Sequence, residues 1–287
     1  MDTNKNSYTI IYATVLVVFV AAVLAFVSSS LKDQQQRNID VEKQLSLLFS
    51  VGLAQDVASA PDKNTYVESE YNKYIKAAFI VNYKGETVEG DAFKVDLKEQ
   101  FDIMKQVAAA TDAAKQDELK AKIKLPVFMC VLDNKDVYIL SCYGAGLWGP
   151  IWGYLAIDSN FDTIYGATFS HKGETPGLGA EIAIPAFSNQ FKNKELFTNG
   201  TFSPILIVKG GAPAGSTHEV DAISGGTITS KALEGTITSW LEYYLPYMEA
   251  EKQKLAAVPA DSLTIGADSL TVTTDSLMVK ADSTSIK

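Results

Sequence analysis

Arginine is nearly missing from this chain: 24 lysines are accompanied by one arginine, Arg37. Everything beyond residue 37 therefore lacks a guanidinium, which excludes the bidentate clamp that proteins often close on phosphate or carboxylate. A phosphate held there has backbone N–H groups, lysine, hydroxyls or a covalent bond to rely on. Histidine and cysteine are scarce as well, at two each. Neither His171 and His218 nor Cys130 and Cys142 have metal-ligand spacing, so no metal site is expected. The cysteines flank a hairpin turn expected at Asn134-Lys135. In a two-residue-turn register Cys130 faces Ile139 and Cys142 faces Val127, on opposite faces, so they read as two small buried hydrophobes; a disulfide would need a longer turn. Positive charge is short too. A net charge of −9 leaves no basic face for nucleic acid and has the wrong sign for docking on an anionic membrane surface.

What the chain has is apolar material. It runs to 287 residues, 47% of them hydrophobic, enough for one or two domains with a sizeable core. Tyr8 to Val27, YTIIYATVLVVFVAAVLAFV, is twenty residues without a charge, long enough to cross a bilayer as a helix. A cleaved signal peptide would have a shorter apolar run and a more basic start than MDTNKNS, although Ser28-Ser29-Ser30 could pass as a cleavage site. Lys5 on one side and Lys32 and Arg37 on the other leave the orientation undecided by charge. The following segment, to about Leu53, has helical spacing through Leu45, Leu48 and Phe49 and continues the anchor outward as a stalk.

Strand texture begins near Lys76. AAFIVNYKGETVEG reads as a strand, a Lys84-Gly85 turn and a weaker partner, and residues 95 to 122 read as helix. VFMCVLD, VYILSCY, YLAIDSN and TIYGATFSH are short β-branched and aromatic runs bounded by turn residues, an antiparallel meander. ILIVK adds a strand, and GGAPAGSTHEV a loop. Leu233, Ile237, Trp240, Leu241 and Tyr244 mark an amphipathic helix that Pro246 kinks or ends. The fold class is thus α+β: one N-terminal transmembrane helix, then a globule with an antiparallel sheet and packed helices. After Pro259 the DSL triplet recurs every seven residues, but its apolar positions fall two apart, so the tail reads as flexible and not as a coiled coil.

One stretch concentrates chemistry: DAISGGTITS, Asp221 to Ser230. With a helix starting at Thr229 or Ser230, either one as N-cap, Gly225 and Gly226 form the turn that feeds it. Thr227 then presents a hydroxyl beside free N–H groups and a helix dipole that favours an anion. An ordinary capped helix start would read the same way. HKGETPGLGAEI offers a Pro-Gly turn, an acid and a lone leucine, and GAGLWGPIWGY offers two tryptophans in a glycine-rich turn. Both segments could wall a planar aromatic ligand.

GLWGPIWGYLAID, HKGETPGLGAEI, KGGAPAGSTHEVDAISGGTITS and the anchor together resemble the C subunits of sodium-translocating NADH:quinone oxidoreductases, from the anchor to about residue 250. In that family the threonine ending a D-x-x-(S/T)-G-A-T pattern carries FMN through a phosphoester, attached by a separate flavin transferase. The pattern here is Asp221-Ala222-Ile223-Ser224-Gly225-Gly226-Thr227, which makes Thr227 the implied attachment site and Thr229 its neighbouring candidate. Gly226 stands where alanine is usual. The resemblance also implies that Trp148, Glu174, Thr175 and Leu178 surround the flavin ring, that Gly177 and Gly179 shape the loop, and that Lys209 balances the phosphate.

It implies, further, a one-electron relay inside a sodium-pumping membrane complex, fed by a metal centre in neighbouring subunits. No catalytic residue is implied in this chain. The amino terminus (1–7) would be cytoplasmic, 8–27 the membrane span, 28–125 the stalk and first part of a periplasmic globule at the bacterial inner membrane. Residues 126–250 would be the FMN-binding domain and 251–287 the tail. Two rivals stay open: the flavin subunit of the related ferredoxin-linked ion pump, and a non-redox envelope scaffold.

Overall fold

A computed structural model describes residues 6–257; the DSL repeats and the first five residues lie outside the described part. The chain opens with one unbroken helix, α1 (Asn6–Ser50). No glycine or proline occurs in these residues, so nothing interrupts the ladder between the apolar run and the globule. Tyr8–Ser50 is the one segment among the described residues long and apolar enough to cross a membrane. After it come α2 (Lys63–Tyr74), β1 (Ile75–Val81) and β2 (Thr87–Val88). Two short helices follow, α3 (Leu97–Ala109) and α4 (Ala113–Lys120). Asp62, Asp96 and Asp112 cap the three helices by accepting from first-turn amides, which satisfies donors that have no partner inside a helix.

The meander is β3 (Leu125–Leu132), β4 (Lys135–Ala145), β5 (Pro150–Asp158) and β6 (Ile164–His171). It joins β1 and β2 in one antiparallel sheet, ordered β2-β1-β3-β4-β5-β6. The β3–β4 turn is Asp133-Asn134, both left-handed, with φ of 48° and 62°. The sequence placed it one residue later. The observed pair has the backbone of a primed turn, whose twist suits a two-residue hairpin. Cys130 consequently pairs with Val137, not Ile139. The two cysteines are free and lie in different core clusters, on opposite faces of the sheet. Burial pushes the Cys130 thiol up to about 11 and the Cys142 thiol up to about 12, so neither is a thiolate at neutral pH.

Beyond the sheet lie α5 (Pro185–Ser188), β7 (Phe197–Thr198), β8 (Thr201–Phe202), β9 (Leu206–Val208) and β10 (Glu219–Asp221). The ILIVK strand, β9, does not extend the meander. It pairs in parallel with β10 in a separate two-stranded ribbon. The last element is α6 (Thr227–Ala257). It runs on through Pro246, which the sequence expected to kink or stop it. Tyr244, Tyr247 and Met248 are buried on either side of the proline, so packing outweighs the one missing backbone bond.

Alternation along each strand sends side chains to two cores. Leu125, Val127, Leu140, Cys142, Ile151 and Leu155 meet α6 through Leu233, Ile237, Trp240 and Tyr244. The indole of Trp240 donates to the Tyr143 carbonyl (2.7 Å) and the Tyr244 hydroxyl to that of Pro126 (2.7 Å). On the opposite face Phe128, Cys130, Ile139, Tyr154 and Ala156 receive Leu47 of α1 and Val51 just past its end. Val41, Leu45 and Leu48, on another side of α1, pack with Val67 of α2. The sheet is thus clamped between the stalk helix and α6.

Candidate functional site

Three segments converge where α6 begins. The β4–β5 turn holds Leu147 and Trp148 and is closed by the Gly146 amide donating to the Gly149 carbonyl (2.8 Å). The loop after β6 holds Glu174, Thr175 and Leu178; the Thr175 carbonyl accepts from the amides of both Leu178 and Ala180 (3.1 Å each). The third segment is the opening turn of α6. Between them lies a cavity of about 280 Å³, lined by Leu147, Trp148, Glu174, Thr175, Leu178, Gly179 and residues 225–229. Its rim is apolar and open to solvent: Trp148 is 69% exposed and Ile228 63%. A volume just below that of pockets enclosing a drug-sized ligand suits a planar ring with one edge left outside.

The four hydroxyls of DAISGGTITS now separate. α6 starts at Thr227, two residues earlier than the sequence suggested, with the Gly226 carbonyl accepting from the Ser230 amide (2.9 Å). Thr229 and Ser230, expected as caps, are buried in the first turn. Ser230 Oγ accepts from the Ile223 amide (3.1 Å), and Thr229 Oγ1 donates to Glu174 Oε2 (2.6 Å). Ser224 is exposed and off the cavity. Thr227 is half-buried at the cavity wall, on the first turn of the helix, and its hydroxyl has no such partner among the described residues. The buried first-turn hydroxyls are structural; Thr227 is available.

Glu174 is buried, at 4% exposure, and so is no solvated loop acid. Its Oε1 accepts from the Trp148 amide (2.9 Å), and its own amide donates to His171 Nδ1 (3.2 Å). Burial alone would push its carboxyl up. The hydrogen bonds from Thr229 and from the Trp148 and Leu147 amides, with His171 nearby, outweigh that and hold it below the usual carboxylate range. The sign follows: a carboxylate depressed in the folded state contributes stability above the ordinary range, and that contribution disappears as pH falls through its lowered value.

Close approach explains the glycines. A Cβ on Gly146 or on Gly179 would stand 2.5 Å from a Glu174 carboxylate oxygen. At Gly226 a Cβ would meet Ile223 Cγ2 at 2.9 Å and the Gly179 amide nitrogen at 3.2 Å, so Ile223 occupies the room an alanine there would need.

The structure brings together Trp148, Glu174, Thr175, Leu178, Gly179, Gly225, Gly226, Thr227 and Thr229. It does not bring Lys209, Asp221, Ser224 or Gly177 to the cavity wall. Lys209 is exposed after β9. Asp221 accepts from the Ala212 amide (2.6 Å) and orders the loop before α6. Gly177, with φ of 75°, donates to Glu181 (3.0 Å). Sequence reasoning missed Leu147 and Ile228. Lys231, one helical turn beyond Thr227, is off the cavity wall as well and is paired with Glu234 at 2.8 Å. A larger cavity of about 560 Å³ between Ser50, Gly166 and Ser188 contains none of these residues.

Residues 146–242, which span all three segments, match the family of FMN-binding domains. The broader likeness covers most of the chain. It is 31% identical over 244 residues to the C subunit of the Na(+)-translocating NADH-quinone reductase of Vibrio vulnificus, covering 84% of this chain and 91% of that one. The corresponding C subunit of Vibrio anguillarum is 32% identical over 244 residues, with the same coverage. Among solved structures, the C subunit from Parabacteroides distasonis superposes with a TM-score of 0.62 at 42% identity, covering 76% of this chain and 96% of that one. The Shewanella oneidensis protein gives 0.59 at 26%, covering 77% and 99%. The chain belongs to the family of C subunits of Na(+)-translocating NADH-quinone reductases. These relatives favour neither rival reading.

Proposed function

We propose that this chain relays single electrons within a membrane-bound, Na+-translocating NADH-quinone reductase, through an FMN joined to Thr227 by a phosphoester bond. One observation carries the reading: of the three hydroxyls in the first turn of α6, Thr227, Thr229 and Ser230, only that of Thr227 has no protein partner among the described residues, and it stands at the wall of an open, apolar-rimmed cavity. Trp148, Leu147, Leu178 and Ile228 suit the faces and edges of an isoalloxazine ring. The free N–H groups and dipole at the first turn of α6 suit a phosphodiester anion. Covalent attachment also answers the want of arginine, since no guanidinium is there to retain a phosphate.

The FMN would supply the one-electron chemistry. The protein holds the ring in place, screens one side of it and sets the charge around it. Neither Lys209 nor Lys231 stands at the cavity wall, so the first-turn N–H groups of α6 carry the phosphate in this reading. A flavin transferase loads the chain, Tyr8 to Val27 anchors it in the inner membrane, residues 28–125 form the stalk and first part of the globule, and residues 126–250 hold the flavin on the periplasmic side.

In-gel flavin fluorescence of the denatured full chain, co-expressed with a flavin transferase, tests the attachment. The expected outcome is a fluorescent band in the wild type that vanishes in Thr227→Ala. A band that survives moves the bond to another residue, and no band in the wild type, with a control substrate loaded, overturns covalent attachment.

A further inference from the structure

Glu174 is the single ionisable side chain in the cavity wall, and both of its oxygens are already engaged by protein donors from different segments. Oε1 holds the tryptophan loop through the Trp148 amide, and Oε2 holds the first turn of α6 through Thr229. Gly146 and Gly179 make room for that carboxylate, since a Cβ on either would stand 2.5 Å from one of its oxygens. No lysine or arginine lines the cavity to offset its charge, and His171, which faces the Glu174 amide, is bonded through Nδ1. The carboxylate is therefore held in place by hydrogen bonds, with no lysine or arginine at the cavity wall, and is buried away from water on the protein side, where its field is screened least.

We infer that Glu174 is a positioning residue with two effects: as a clasp it fixes the width of the cavity beside Thr227, and as a fixed anion it makes a ring in that cavity harder to reduce. The inference rests on the flavin reading for its second effect only. The clasp stands on hydrogen bonds within the protein and exists before any ring arrives. Thr229 belongs to the clasp and carries no charge, so the two effects are separable by mutation. Glu174→Gln preserves shape and one acceptor while removing the charge. Thr229→Val preserves the charge and opens one side of the clasp.

Two measurements on the full-length chain in detergent test this. The first is hydrogen exchange of peptides from the tryptophan loop in unloaded protein. Thr229→Val and Glu174→Ala are expected to speed exchange around Trp148 relative to wild type; unchanged exchange in both overturns the clasp, whatever the flavin does. The second is a reductive titration of the loaded protein with dithionite, which is oxidised as it donates each electron. Glu174→Gln is expected to favour the reduced ring by about tenfold, a rise of about 59 mV for one electron, while Thr229→Val shifts the potential much less. Equal potentials in wild type and Glu174→Gln overturn the electrostatic effect. A chain that takes up no flavin overturns that effect together with the flavin reading, and the exchange result alone then decides the clasp.

Discussion

The two faces of the sheet are covered by helices of similar job and different consequence. α6 buries Leu233, Ile237, Trp240 and Tyr244 against one face and ends, at its N-terminus, in the cavity. α1 buries Leu47 against the other and leads away into an apolar run. Both are held chiefly by apolar burial, and each adds polar ties: Trp240 to the Tyr143 carbonyl on one side, the Lys43 ammonium to the Phe93 carbonyl on the other. The difference lies in what a loose helix would disturb. Slack in α6 is felt at Thr227, whereas slack in α1 is felt at the joint between globule and stalk. Equal stability losses on the two faces should therefore have unequal functional effects.

Trp240→Ala puts the largest strain on that contrast. Removing a buried indole and its hydrogen bond is expected to cost about 3–5 kcal/mol in chemical denaturation and to lower flavin loading with it. Leu47→Ala should cost about 2–5 kcal/mol yet leave loading at the wild-type level below the transition. If loading falls equally in both, the faces do not divide the work. Gly226→Ala sharpens the comparison at smaller scale. Pushing a Cβ against Ile223 should cost about 1–3 kcal/mol and slow loading, and Ile223→Ala in the same chain should restore it.

The strands, the meander order and the stalk were legible because alternation and helical spacing are dictated by which face is buried, and each face here is well covered. Which hydroxyl matters was less legible. Ser224, Thr227, Thr229 and Ser230 are alike in sequence, and only the start of α6 two residues early turns Thr229 toward Glu174 and leaves Thr227 outward. The fate of Glu174 was equally hidden. An acid between His-Lys-Gly and Thr-Pro-Gly reads as a loop charge until Trp148 and Thr229, distant in sequence, close on it. The hairpin turn was misplaced by one residue because Asp-Asn and Asn-Lys are both acceptable turn pairs, and only the strand register chooses between them. Lys209 attracted notice through its neighbours in sequence, but the fold leaves it exposed after β9 and off the cavity wall.

The unbroken α1 has a mechanical reading. At 1.5 Å per residue its 45 residues make an arm of about 68 Å, of which residues 28–36 stand exposed between the apolar run and the first tie to the globule, the Arg37–Glu68 pair (2.9 Å). With no glycine or proline to act as a joint, the globule cannot swivel independently of the segment in the bilayer. A tilt of about 20°, ordinary for a membrane helix, would carry the near edge of the globule sideways by about 5 Å over that exposed length. Electron transfer falls steeply with distance, so the lean of the anchor, and through it the thickness of the surrounding lipid, becomes a coordinate of the reaction.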